Sequence, residues 1–282
     1  MKKNIFVLTS LMLTLGCGCD SFLDETNYSD VTSEGGYYDT EAGLNAVVNA
    51  CYTPLRFWAG KEDAIGLSET GTDIIAAGSG CVDNNMAAYT QSLDGTNSAC
   101  TFYFDRFYAA INWCNTAIFH AQTVPNPSND EILATTLNKR EAEARVLRTF
   151  YYWILTETFG DTYYTDQPST SIVMNPVKTS TDNIYQYMFD DLDWAIKSKL
   201  STLQNDGGRV TIWTAKALKA RLLLTRASEK NDVDMYGQAY DLAKDVIENG
   251  PFELAEDFAS IWDMKNSDGN SNKEVIWYVD YS

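Results

Sequence analysis

The sequence predicts an all-α fold of amphipathic helices separated by long irregular loops. Three observations predict it. Apolar residues recur at steps of three and four in about six segments. No segment sustains the alternation of a half-buried strand. Clusters of Gly, Pro, Ser, Thr, Asn and Asp divide the periodic runs from one another.

From Thr40 to Trp58, residues Leu44, Val47, Val48, Cys51, Tyr52 and Leu55 form one stripe, with Asp39 placed to cap the helix. Residues 60–101 lose the period and predict a polar loop. It returns over 103–122, where Phe104, Phe107, Tyr108, Ile111, Cys114 and Ile118 share a face, and Pro125 and Pro127 stop it. Ser128 followed by Glu131 is a capping-box pattern. The helix it opens runs to Phe159 and Gly160, either unbroken or divided near Thr135 and Thr136. Residues 160–179 form a second polar loop. Helices then follow over Thr181–Lys197, Val210–Arg226 and Asp234–Glu248, the last ending at Asn249, Gly250 and Pro251. In the last two, Ala217 and Ala220 face Ala239 and Ala243, and Pro follows the second helix. That is a tetratricopeptide-like pattern, although any antiparallel helix pair would show facing alanines. The closing EVIWYVDYS reads as a short strand or extended segment. It leaves Val275, Ile276, Trp277 and Tyr278 as an apolar patch in need of cover.

The N-terminus predicts an address. Lys2 and Lys3 precede an apolar run, Ile5 to Leu15, that is shorter than the ~20 residues a spanning helix needs. It reads as a signal segment over residues 1–18. Small residues before Cys17 and Cys19 resemble the lipobox of bacterial lipoproteins. That resemblance implies acylation of Cys19, with Cys17 as the alternative, and membrane attachment without a spanning helix. Cys51 and Cys114 fall on apolar helix faces, where buried thiols are ordinary. Cys81 and Cys100 bracket the polar loop, as a disulfide or as thiols.

Composition removes several functions. The 39 Asp and Glu outnumber 21 Lys and Arg, a net charge of -18, which opposes nucleic-acid binding. A single histidine, His120, excludes a His-rich metal site, and no cofactor or metal motif is present. At the end of its helix a cation is simply favourable. Residues 78–81, GSGC, lack the context of a phosphate loop. Asp190, Asp191 and Asp193 fall on the solvent side of their helix. Glu141 and Glu143 with Arg145 and Arg148 suit exposed or half-buried ion pairs. Trp113, Trp153, Trp194 and Trp213 lie inside helices and read as core.

Six segments then follow one another in a telling order. DSFLDE stands after Cys19, and EAEARVLRTFYYWILTETFGD runs from Glu141 to Asp161. NIYQYMFDDLDWAI, GRVTIWTAKALKARLLL, YDLAKDVIENGPFEL and NKEVIWYVDY come after it. Together they resemble the SusD-like (RagB/SusD) family of outer-membrane nutrient-binding lipoproteins of Bacteroidota. One departure is Thr162-Tyr163, where the family carries Val-Pro. The resemblance implies a helical domain over 19–282 that is the N-terminal half of such a protein, its C-terminal half being absent here. It implies a lipid-anchored protein of the cell outer membrane, facing the exterior over a SusC-like TonB-dependent transporter. Such a protein captures an oligosaccharide and hands it on without catalysis.

Sugars offer apolar ring faces and hydroxyl edges, so aromatic and amide or carboxylate side chains on loops bind them. The richest such stretch is 81–103, with Asn85 and Gln91 among its polar residues. Its candidate ligand residues are Asp83, Asn84, Tyr89, Asp94, Asn97 and Tyr103. Three other readings stay open. They are a tetratricopeptide-type scaffold for protein partners, a truncated remnant that binds nothing, and a surface glycoside hydrolase. The last needs two carboxyl groups ~5–9.5 Å apart.

Overall fold

The computed structural model describes residues 36–60, 62–78, 84–126, 128–202, 208–263 and 272–280. Cys17, Cys19, Cys81 and Asp83 lie outside them. The chain divides into two units, 1–37 and 38–282, and every element below belongs to the second.

Short polar side chains start the long helices by taking up amides that have no partner within the helix. Thr40 opens α1 (Glu41–Tyr52), its hydroxyl accepting from the Gly43 amide at 3.0 Å. Asp39, the expected cap, instead meets His120 Nδ1 at 2.8 Å. After Thr53 and Pro54 the chain makes the short α2 (Leu55–Trp58), α3 (Glu62–Ser68) and α4 (Asn84–Ala88). Asn97 opens α5 (Ser98–Thr123), five residues earlier than the apolar period suggests. The third long helix is unbroken, α6 (Glu131–Phe159), capped by Asp130 and not by Ser128. Asn126 makes that possible. Its side chain bonds both the amide and the carbonyl of Asp130, at 2.8 and 2.9 Å, and fixes the turn before the helix.

Two short strands follow, β1 (Thr162–Tyr163) and β2 (Lys178–Thr179), paired antiparallel. Ser180 then caps α7 (Thr181–Lys197). Thr211 and Thr214 close a capping box on α8 (Ile212–Lys230), and Asp232 opens α9 (Val233–Asn249). The all-α class holds, with helix α6 packed against α5, α7 and α1, and α8 against both α7 and α9. Tyr103, Phe107, Ile111, Leu147, Tyr151, Leu155, Ile184 and Leu192 fill the space between them. Cys51 and Cys114 are buried thiols, as their place in the stripes predicts. Burial pushes the Cys51 thiol up, and its hydrogen bond with Cys114 adds to the shift.

Two expectations are corrected by packing. The closing segment forms no ladder over 272–280, and Val275 to Val279 are half-buried by their own chain. Trp277 donates to the Gly208 carbonyl at 2.7 Å, and its ring meets Phe150 edge-on at 5.4 Å. The charged residues of α6 sit deeper than surface pairs. Glu143 is 0% exposed, between Arg140 at 2.6 Å and Arg209 at 2.7 Å. Asp191, expected on the solvent side of α7, is 5% exposed. Arg148 grips both its oxygens at 2.8 Å, and Arg145 adds a third bond at 2.6 Å. An acid turns inward here because α6 presents two guanidinium groups to receive it, offsetting the desolvation of each charge.

Losing one member of such a pair strands the other in the interior. We expect Arg148→Met to lower the unfolding free energy by about 3–5 kcal/mol, read from urea denaturation. Arg148→Met with Asp191→Leu should recover part of that loss, because the stranded carboxylate is gone.

Candidate functional site

The nominated loop leads into the first turn of α5, and its residues divide by burial. Tyr89 is 72% exposed, at a left-handed backbone position of φ +47°. Its ring lies so near Gly71, itself at φ +95°, that a Cβ there would come within 3.2 Å of it. Asp94 is exposed, accepting from the Thr96 amide at 2.8 Å and the Thr96 hydroxyl at 2.7 Å. Those bonds hold its carboxyl below the usual range. Asn97 is buried as the cap of α5, accepting from the amides of Ala99 and Cys100 at 3.0 and 3.4 Å. Tyr103 is fully buried and donates to the Phe57 carbonyl at 3.2 Å, so it supports the loop from within the core. Asn84 starts α4, where only its backbone is described.

Beside this loop, with Gly95 on its rim, lies a cleft of about 540 Å³. Phe104, Phe159 and Tyr163 form its apolar walls, and Thr101, Asp105, Asp161 and Lys178 supply polar groups. Phe104 follows Tyr103 by one helical step, which turns it outward to 38% exposure. It meets Phe159 edge-on at 5.5 Å and Tyr108 at 4.7 Å. Phe159 ends α6 because Gly160 takes φ +70°, a conformation that residues with side chains rarely adopt. Asp161 then accepts from the amide and hydroxyl of Thr181, at 2.8 and 3.0 Å, which lowers its pKa.

The far wall is pinned from behind. The Tyr108 hydroxyl donates to the Tyr163 carbonyl at 2.6 Å and meets the Thr162 hydroxyl at 2.6 Å. Pairing of β1 with β2 sets Tyr163 opposite Lys178. Further along, Asn115 donates to the carbonyls of Thr165 and Gln167, at 3.1 and 3.0 Å. Tyr152 holds both the amide and the carbonyl of Thr165, at 2.8 and 3.0 Å. Aromatic walls with carboxylate, hydroxyl and ammonium groups around them suit a polyhydroxylated ring. Among the described residues, no three His, Cys, Asp or Glu side chains converge to hold a metal. Sequence reasoning missed Phe159, Tyr163 and Lys178 as site residues and placed Phe104 on the inner face of its helix. The Phe159-Gly160-Asp161 turn was the available signal.

A second cleft, of about 470 Å³, lies between the end of α1 and the closing segment. Its cations are engaged: Arg56 donates to the Asp280 carbonyl at 2.9 Å, and Arg209 reaches Asn49 and Glu143.

The SusD-like family model described as "Starch-binding associating with outer membrane" matches residues 72–277. The chain belongs to the SusD-like family. A SusD-like protein of Bacteroides ovatus is 26% identical over 291 residues, covering 98% of this chain and 49% of that protein. Surface glycan-binding protein A from Bacteroides uniformis superposes with a TM-score of 0.68 at 22% identity, over 84% of this chain and 52% of that one. A structure solved with a xylogluco-oligosaccharide gives a TM-score of 0.64 at 23% identity, over 83% of this chain and 46% of that one. At these identities the superpositions establish the fold. The chain spans about half the length of the curated relatives it matches.

Tyr152→Phe removes the group that holds both polar atoms of Thr165. Hydrogen exchange at the Thr165 amide should then rise about tenfold, the equivalent of ~1.4 kcal/mol of lost protection. An unchanged rate would show that Asn115 alone fixes this wall.

Proposed function

We propose that this SusD-like chain carries a glycan-binding surface and captures oligosaccharides for import without cleaving them. The observation that supports this reading is the aromatic cleft of Phe104, Phe159 and Tyr163, flanked by the loop that exposes Tyr89 and Asp94. Phe104 and Tyr89 offer faces for sugar rings, while Asp94, Asp105 and Lys178 offer bonds to hydroxyl edges. The names of two structural neighbours, a surface glycan-binding protein and a complex with a xylogluco-oligosaccharide, support the same ligand class. Binding without hydrolysis fits the carboxylates at hand. Asp161 is committed to Thr181, and the single histidine of the chain is buried against Asp39. Acylation at Cys19, or Cys17, would hold the protein on the outer membrane, where it passes ligand to a TonB-dependent transporter.

Phe104→Ala should weaken binding of a xylogluco- or malto-oligosaccharide at least tenfold by calorimetry, about 1.4 kcal/mol. Tyr103→Phe, which removes only a buried hydroxyl, should leave the affinity near wild type. The reading fails if Phe104→Ala and Tyr89→Ala both bind like wild type, or if the purified protein releases reducing ends.

Anchoring has its own test. Substituting both Cys17 and Cys19 with Ser should move the protein from the detergent phase to the aqueous phase. Retention in detergent would refute acylation at these positions.

A further inference from the structure

Two cysteines meet in the interior from distant parts of the chain. Cys51 stands in the last turn of α1 and Cys114 near the middle of α5, and both are 0% exposed. The two helices pack together, and the two thiols share a hydrogen bond. Ala110 and Ala117 flank Cys114 on the buried stripe of α5, and side chains that small let α1 approach closely. Tyr151 closes the third side. Its hydroxyl donates to the Cys51 carbonyl at 2.6 Å, within electrostatic reach of both thiols. A cysteine serving only as a small apolar group has no need of a second one beside it.

Geometry also sorts the possible pairings. Cys100 and Cys114 lie on one helix, 14 positions apart, which sets them about 21 Å from each other and beyond any disulfide. Cys51 Sγ donates to the Val47 carbonyl at 3.2 Å, one turn back along its own helix. Releasing that bond frees the side chain to turn its sulfur onto Cys114. A link at this place would enclose residues 52–113, which carry the Tyr89 loop and the Phe104 wall. The family is described as associating with the outer membrane, so its members pass through the envelope, where disulfides form and persist.

We propose that Cys51 and Cys114 of the exported chain are joined by a disulfide that staples α1 to α5. The inference rests on export and is independent of the glycan reading. The oxidant is the disulfide of a thiol–disulfide oxidoreductase, or of glutathione in the test below. The thiolate of one cysteine attacks it, forming a mixed disulfide and releasing one oxidant sulfur as a thiol. The second cysteine then attacks the first one's sulfur, which forms the Cys51–Cys114 bond and releases the other oxidant sulfur. The two cysteines give up two electrons and two protons, and the oxidant gains them as two thiols. Burial raises the Cys51 pKa and withholds its thiolate, so the exchange belongs to the chain before α1 has closed on α5.

The reduced full chain is unfolded, refolded with reduced and oxidised glutathione, trapped with N-ethylmaleimide and digested. Mass spectrometry should find a peptide joining Cys51 to Cys114 in most molecules, lost on reduction. The exported chain, trapped in the same way at cell lysis, should give the same peptide. Reduction should lower the urea midpoint by about 1 M. Cys51→Ala with Cys114→Ala should abolish that shift while the helical circular dichroism is kept. The proposal is overturned if both cysteines carry maleimide in either sample, or if they are joined to other cysteines. A midpoint unchanged by reduction would overturn it too, as would an equal shift in the double variant.

Discussion

The pairing of Arg148 with Asp191 is the joint on which the rest of the helical packing depends. Burial by itself would pull the Arg148 guanidinium down, but the charge of Asp191 and the bonds to both its oxygens outweigh that, so its pKa rises. Two carboxylate oxygens use two of the guanidinium nitrogens, and the third donates to Asn115 Oδ1 at 2.8 Å. Helices α5, α6 and α7 therefore meet at one planar group. Apolar side chains of equal volume would also fill this space, but they would accept many relative positions of the three helices. A bidentate fork accepts few.

The consequence reaches the surface. Asn115 accepts from Arg148 through its oxygen, which leaves its amide group to donate, and those donors hold the carbonyls of Thr165 and Gln167. An amide turned the other way would face guanidinium N–H with N–H. The charge inside the bundle thus fixes the orientation of a side chain that positions the wall of the cleft. The same logic governs Glu143, which accepts from Arg140, Arg209 and Tyr52 and so ties the start of α8 to α1 and α6. Among the described residues only Trp153 Nε1 and Thr156 Oγ1 are buried without a hydrogen-bond partner. The indole still has the Arg221 guanidinium over its ring at 4.8 Å.

Most of the scaffold was legible because a helix that buries one face must repeat its apolar residues with the helical period. What failed was phase. Ending the loop at 101 and starting the helix at 103 left Tyr103 at the edge of the candidate stretch as a surface residue and gave Phe104 to the interior. Once α5 starts at Ser98, Tyr103 joins Phe107, Ala110, Ile111 and Cys114 on the buried stripe, and Phe104 turns out toward the cleft. Asp191 was misplaced for a related reason. Hydropathy marks it as a solvent residue, while the groups that pull it inward, Arg145 and Arg148, lie 46 and 43 positions away in sequence. Trp113, read as core, is 38% exposed by the same kind of shift. The family signature around Phe159-Gly160-Asp161 was readable as sequence. Its physical meaning, a turn that ends α6 and brings Phe159 against Phe104, needed three dimensions.

One row of α5 shows why this cleft belongs to the scaffold more than to its loops. Phe104, Tyr108, Asn112 and Asn115 are separated by steps of four, four and three, so they lie along one side of the helix. Phe104 forms one wall directly. Tyr108 holds Thr162 and Tyr163, Asn112 accepts from the Ser169 amide at 2.7 Å, and Asn115 holds Thr165 and Gln167. A single rigid element thus carries one wall and fastens the excursion that makes the other. The distance between walls is then set by helix geometry and short hydrogen bonds, with little freedom left to the loop itself. A rigid ring such as a sugar, which gains little by adapting to its site, is best met by walls that do not need to adapt.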